Sequence, residues 1–136
     1  MCYIVYMANI TRTFLRSDAT MTRYMETMKH RDVNNIQYNP FTDQDRKIVN
    51  EFNYWIIVEN GFPYDAIATT SHILSIKREI PFDWDLLTAE ERVELDHLKK
   101  TYFKENYDVV YENLPKGQTV PGHFHLHLLV LRREEI

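Results

Sequence analysis

The chain has one cysteine in 136 residues, Cys2, so it can form no internal disulfide and no cysteine-rich zinc site. That usage fits a reducing compartment. Basic residues do not dominate either. Sixteen Lys and Arg stand against twenty Asp and Glu, for a formal charge of -4, which argues against a general nucleic-acid binder with a basic face. A small anionic ligand is still compatible with that balance, because a few local donors can hold a phosphate. No apolar run approaches the length needed to span a bilayer. The opening stretch, residues 1–8, is apolar but short and has no basic residue before it, so it makes a poor signal peptide. The expectation is a cytoplasmic protein that binds neither membrane nor, stably, nucleic acid.

The length is that of one ordinary domain with a real core, and 44% apolar with 26% charged residues is typical of globular chains. Ser17-Asp18 reads as a helix N-cap, and Met21, Tyr24, Met25 and Met28 form an apolar stripe at helical spacing over 19–30. The stretch 31–45 reads as loop and turn with one short strand at 36–38. Residues 47–59, rich in β-branched and aromatic side chains, predict two strands or one bent strand, followed by a turn at 60–65 and a strand over 67–76. Thr88-Ala89-Glu90-Glu91 is a capping-box start. It opens a helix to residue 104, with Val93, Leu95, Leu98, Tyr102 and Phe103 on one broad face. A strand at 107–111, a loop at 112–118 and a strand at 119–131 complete an α+β order. No linker, repeat or low-complexity tract interrupts it.

Half of the six histidines fall in His123-Phe124-His125-Leu126-His127-Leu128-Leu129. Successive side chains of a strand point to opposite faces. His123, His125 and His127 therefore share one side, and Phe124, Leu126 and Leu128 share the other, toward a core. A helix would scatter the three imidazoles. Such a row serves metal ligation or nucleophilic chemistry on phosphorus. A metal site of the His-x-His kind wants a carboxylate a few residues on, but 128–131 is purely apolar. For phosphorus chemistry, Gly117-Gln118-Thr119 supplies backbone approach, an amide and a hydroxyl just upstream.

Gly117-Gln118-Thr119-Val120 followed by His-Phe-His-Leu-His-Leu-Leu resembles the histidine-triad (HIT) superfamily, whose signature alternates histidine with apolar residues. The likeness extends upstream through residues 55–63, through His72 with the Lys77-Arg78 pair, and into the start of the long helix at 87–91. It covers about residues 47–131. The chain departs from that pattern at Pro121-Gly122, where most members have a single residue, and its first 46 residues resemble no family we can name.

The resemblance implies a HIT-like antiparallel sheet with one long helix, to which an N-terminal helix is added. It divides the chain into an extension, 1–46, packed on the same domain, and a HIT-like domain, 47–136. It implies a nucleotide hydrolase that cleaves a phosphate ester, an anhydride such as a dinucleoside polyphosphate, or a phosphoramidate through a nucleotidyl-histidine intermediate. Nucleotidyl transfer is the neighbouring activity. In that reading His125 is the nucleophile. His123 and His127 flank it, with the His123 carbonyl fixing its tautomer, and His72 is a fourth histidine near the phosphates. Asn60, Gln118, Thr119 and Asn113 bind substrate. No cofactor and no protein-bound metal are implied, Mg²⁺ arriving only with a polyphosphate. The partners are a small-molecule nucleotide and a second copy in a homodimer. Two alternatives stand beside it: a non-enzymatic nucleotide-binding or scaffold protein, and a His-ligated metalloprotein.

Overall fold

Between residues 48 and 76 the β-branched and aromatic runs become strands, and Asn, Gly and Pro in the turns between them keep those strands short. A computed structural model describes residues 13–33, 45–117 and 122–136. The expected strand at 36–38 and residues 1–12, including Cys2, lie outside the described residues. Among the described residues five strands form one antiparallel sheet: β1 (Ile48–Glu51), β2 (Trp55–Glu59), β3 (Ala68–Ile76), β4 (Val109–Tyr111) and β5 (His125–Leu131), in the order β1-β2-β3-β5-β4. Among the described residues two helices longer than one turn accompany it, α1 (Asp18–Val33) and α2 (Ala89–Leu98). The chain is thus α+β. Among the described residues no helix is long and apolar enough to cross a membrane.

Strand alternation divides the buried residues into two layers. Trp55, Ile57, Leu74, Ile76, Leu126 and Leu128 face α2 and pack with Leu95, Leu98 and Phe103, joined by Phe124 just ahead of β5. Ile56, Val58 and Ile73 are buried on the opposite face. Helix α2 begins as its sequence predicts. Thr88 accepts a hydrogen bond from the Glu91 amide, and Glu91 accepts one from the Thr88 amide. The Glu91 carboxylate also receives Arg78 at 2.7 and 2.8 Å, and its carbonyl receives the Trp55 indole N–H at 2.9 Å. The charge is therefore buried only because it is paired. The helix continues through a π-helical turn, Lys99–Phe103, to a last turn, Lys104–Asn106.

Val93 does not join the apolar face and is 70% exposed. Glu91, Leu95 and Leu98 follow the helical period onto the sheet, and a residue two positions from Glu91 projects to the far side.

The N-terminal helix is tied to the turn between β2 and β3. The Asp65 carboxylate accepts from the Ser17 amide and hydroxyl, both at 2.8 Å, and from the Thr20 hydroxyl at 2.7 Å. Burial alone would raise the Asp65 pKa, but these donors outweigh it and lower it to about 2. Ser17 also caps α1, accepting from the Thr20 amide at 3.2 Å. Tyr24 of the predicted stripe is buried, its ring edge-on to Phe62 at 5.2 Å. The three methionines are half-buried. Arg16 Nε donates to the Phe62 carbonyl at 2.8 Å, which places its guanidinium 4.8 Å from the centre of the Tyr64 ring.

Candidate functional site

The antiparallel register sets two polar side chains of β5 among neighbours on the face away from α2. His127 stands opposite Ile73 of β3 and Tyr111 of β4, and His125 stands opposite Ser75. His123 precedes β5, which begins at His125; residues 119–121 of the expected strand lie outside the described residues. All three rings are nevertheless buried and next to one another. His125 and His127 lie 5.4 Å apart, edge to face. His123 Nε2 lies 2.7 Å from Ser75 Oγ and 3.0 Å from the Ile76 carbonyl. A carbonyl can only accept, so His123 carries its proton on Nε2.

His125 Nδ1 lies 2.8 Å from the His123 carbonyl. By the same logic Nδ1 bears the hydrogen and the lone pair sits on Nε2. Burial lowers the His125 pKa to about 4; the carbonyl raises it and His123 lowers it further. Burial, then His125 and Arg16, lowers that of His127 to about 3. Burial also lowers that of His123. All three rings are neutral at pH 7, the form in which an imidazole is a nucleophile.

His72 does not stand with the triad. It is one residue out of phase with Ile73 and pairs with Leu128 of the core-facing set, so its side chain leaves on the α2 face. There its Nδ1 lies 2.7 Å from the Tyr107 hydroxyl. The histidine that the resemblance sets near the phosphates thus stands, by strand parity, on the face of the sheet opposite His125 and His127.

Asn60 continues the ladder beyond β2, its amide donating to the Ser71 carbonyl at 3.3 Å. Its Oδ1 accepts from the Phe62 amide at 2.9 Å, while its Nδ2 is buried without a partner among the described residues. Asn113 Nδ2 donates to the Tyr64 hydroxyl at 2.9 Å. Gln118 and Thr119 lie outside the described residues.

Three groups absent from the sequence reading belong to this face. Tyr64 stacks on His127, with ring centres 4.6 Å apart and planes 23° apart. Tyr111 meets His127 edge-on at 6.2 Å, and Ser75 holds His123. The polar residues Ser71 and Ser75, four positions apart and so on one face of β3, were the available signal. Tyr64, in a turn after Pro63, carried none. Among the described residues no group of three or more His, Cys, Asp or Glu is arranged to hold a metal ion.

The buried imidazoles link stability to pH. The folded pKa values of His125 and His127, about 4 and about 3, lie below the ordinary histidine value of 6.5, so the unfolded chain takes up protons first. The stability they contribute is complete above about pH 6.5 and is lost as pH falls toward the folded values. Each ring changes it by about 1.4 kcal/mol per pH unit within that window. The urea midpoint is expected to drop between pH 7.5 and 5.5, and to drop less in His127→Gln. An unchanged midpoint would mean that the rings protonate within the fold.

No curated protein matches the chain. Residues 7–131 match the family model described as "Protein of unknown function (DUF3605)", a span that takes in both the N-terminal helix and the histidine strand. The chain belongs to the DUF3605 family.

Proposed function

We propose that the chain is a nucleotide hydrolase of the histidine-triad kind, acting through a covalent nucleotidyl-His125 intermediate. The observation that carries this reading is the 2.8 Å contact between His125 Nδ1 and the His123 carbonyl. It puts the lone pair of a neutral ring on Nε2, the nitrogen remote from the backbone. In the first step that lone pair attacks the α-phosphorus. A P–N bond forms as the bond from phosphorus to the leaving oxygen or nitrogen breaks, and the leaving group takes up a proton. Water then attacks the same phosphorus, the P–N bond breaks, and a nucleoside monophosphate departs. Two displacements replace one harder one. His127 flanks the phosphate as a donor in the transition state, while His123, its own N–H held by the Ile76 carbonyl, acts through the backbone carbonyl that orients His125. The buried Nδ2 of Asn60 supplies a further donor for a substrate hydroxyl or phosphate oxygen.

His125 is only 6% exposed, and that burial favours a second reading, a binder of the same fold that retains a nucleotide without turning it over. One experiment separates the two. The protein is incubated with a panel of dinucleoside polyphosphates, nucleoside phosphoramidates and nucleotide esters, quenched, digested and weighed. A nucleotidyl mass on the peptide containing His125, with release of monophosphate, is the expected result. Saturable nucleotide binding with neither adduct nor product would establish the binder instead. A cytoplasmic homodimer is part of the proposal. Sedimentation at micromolar concentration tests the dimer, and a monomer would remove it.

A further inference from the structure

Tyr64 Oη accepts a hydrogen bond from Asn113 Nδ2 at 2.9 Å and lies 3.3 Å from His127 Nε2. His127 Nδ1 is buried with no partner among the described residues. Two proton arrangements fit these contacts, and they differ in cost. If His127 carried its hydrogen on Nε2 and donated it to Tyr64, the phenol proton and the Nδ1 lone pair would both be left unsatisfied. If Tyr64 donates to Nε2 instead, only the Nδ1–H group lacks a partner. Each buried polar group without a partner costs about 1–3 kcal/mol, so the second arrangement prevails.

We propose that Tyr64 is the positioning residue of His127, holding the ring in its Nδ1–H tautomer so that an otherwise unpaired buried N–H is presented to the bound substrate. The phenol can play that part because burial raises its pKa, so that it keeps its proton. Its position is set from two directions. Asn113 holds the hydroxyl from beyond β4, and the Arg16 guanidinium of the N-terminal segment lies 4.8 Å from the ring centre. The neighbouring Asp65 ties that same segment down. The N-terminal segment is therefore part of the machinery that orients the third histidine.

The role in substrate recognition rests on the hydrolase reading, whereas the tautomer does not, and the test keeps them apart. Protein labelled with ¹⁵N-histidine is studied near pH 7.5, with His127→Gln assigning the resonance. The expected spectrum shows the His127 proton on Nδ1. In Tyr64→Phe, which keeps the stack and removes the hydroxyl, that preference is lost or exchange-averaged. An Nε2–H tautomer in the wild-type protein overturns the proposal, as does an unchanged tautomer in folded Tyr64→Phe. If that variant fails to fold, Asn113→Ala is expected to weaken the same preference, and the wild-type spectrum decides by itself. A second arm uses turnover. Tyr64→Phe is expected to lower kcat about 10-fold for ester, anhydride and phosphoramidate substrates alike, because the lost hydrogen bond is to the phosphate and not to the leaving group. An unchanged kcat in the folded variant would overturn the role in catalysis. An Nδ1–H tautomer in a protein without any turnover would sink the hydrolase reading alone.

Discussion

Asparagine in place of His125 is expected to remove turnover and the covalent adduct together, with a fall in kcat of more than about 10³-fold. Asparagine is the informative choice because its side-chain N–H can still donate to the His123 carbonyl that now receives Nδ1 at 2.8 Å. The site keeps its shape and loses only the nucleophilic nitrogen. Nucleotide affinity should stay within a few-fold of the parent. Steady-state kinetics and the adduct mass check both halves. A variant that hydrolyses every substrate at the parent rate would refute nucleophilic catalysis by this ring. His72→Asn makes the contrast. His72 faces α2 and contacts Tyr107, so its loss is expected to leave kcat within a few-fold of the parent.

Phe124→Ala should be the costliest single change in the core, at about 3–5 kcal/mol. The ring is fully buried. It stacks on Phe82 at 4.6 Å and meets Trp84 at 5.0 Å and Trp55 at 5.7 Å. Its backbone also bridges two segments, with its amide donating to the Ile80 carbonyl at 2.7 Å and its carbonyl accepting from the Ile76 amide at 3.3 Å. Removing the ring leaves a cavity between sheet and helix that neighbouring aromatics cannot fill without leaving their rotamers. Because Phe124 separates His123 from His125, catalytic geometry would loosen as well. Chemical denaturation measures the effect, with Val93→Ala as reference. Val93 is 70% exposed, and its truncation is expected to change stability by no more than about 0.5 kcal/mol. A similar loss at both positions would contradict the assignment of the core.

The alternation His123 to Leu129 told which side chains share a face, because the period of a strand is a local property of the backbone. The capping box at Thr88 was equally legible, since both of its partners lie within one turn. The helical stripe was read too broadly. Composition alone could not show that Val93 falls on the solvent side, because any apolar residue within reach of the period looks like core. His72 failed for a different reason. Its residue type matched, but its face depends on its register against β5, and a shift of one residue exchanges the two faces. Asn113 could be singled out by residue type, whereas its actual partner, the Tyr64 hydroxyl, lies 49 residues away.

The sequence by itself determined the strand with its imidazole row, the start of the long helix and the α+β order of elements, all of which follow from neighbours within a few positions. Only the tertiary structure decided that Tyr64 stacks on His127, that Asp65 holds Ser17 and Thr20, and that His72 lies on the far side of the sheet. Those contacts join residues tens of positions apart, and no local periodicity encodes which of them will meet. Strand order and register bring them together, because the core must close on both faces of the sheet at once.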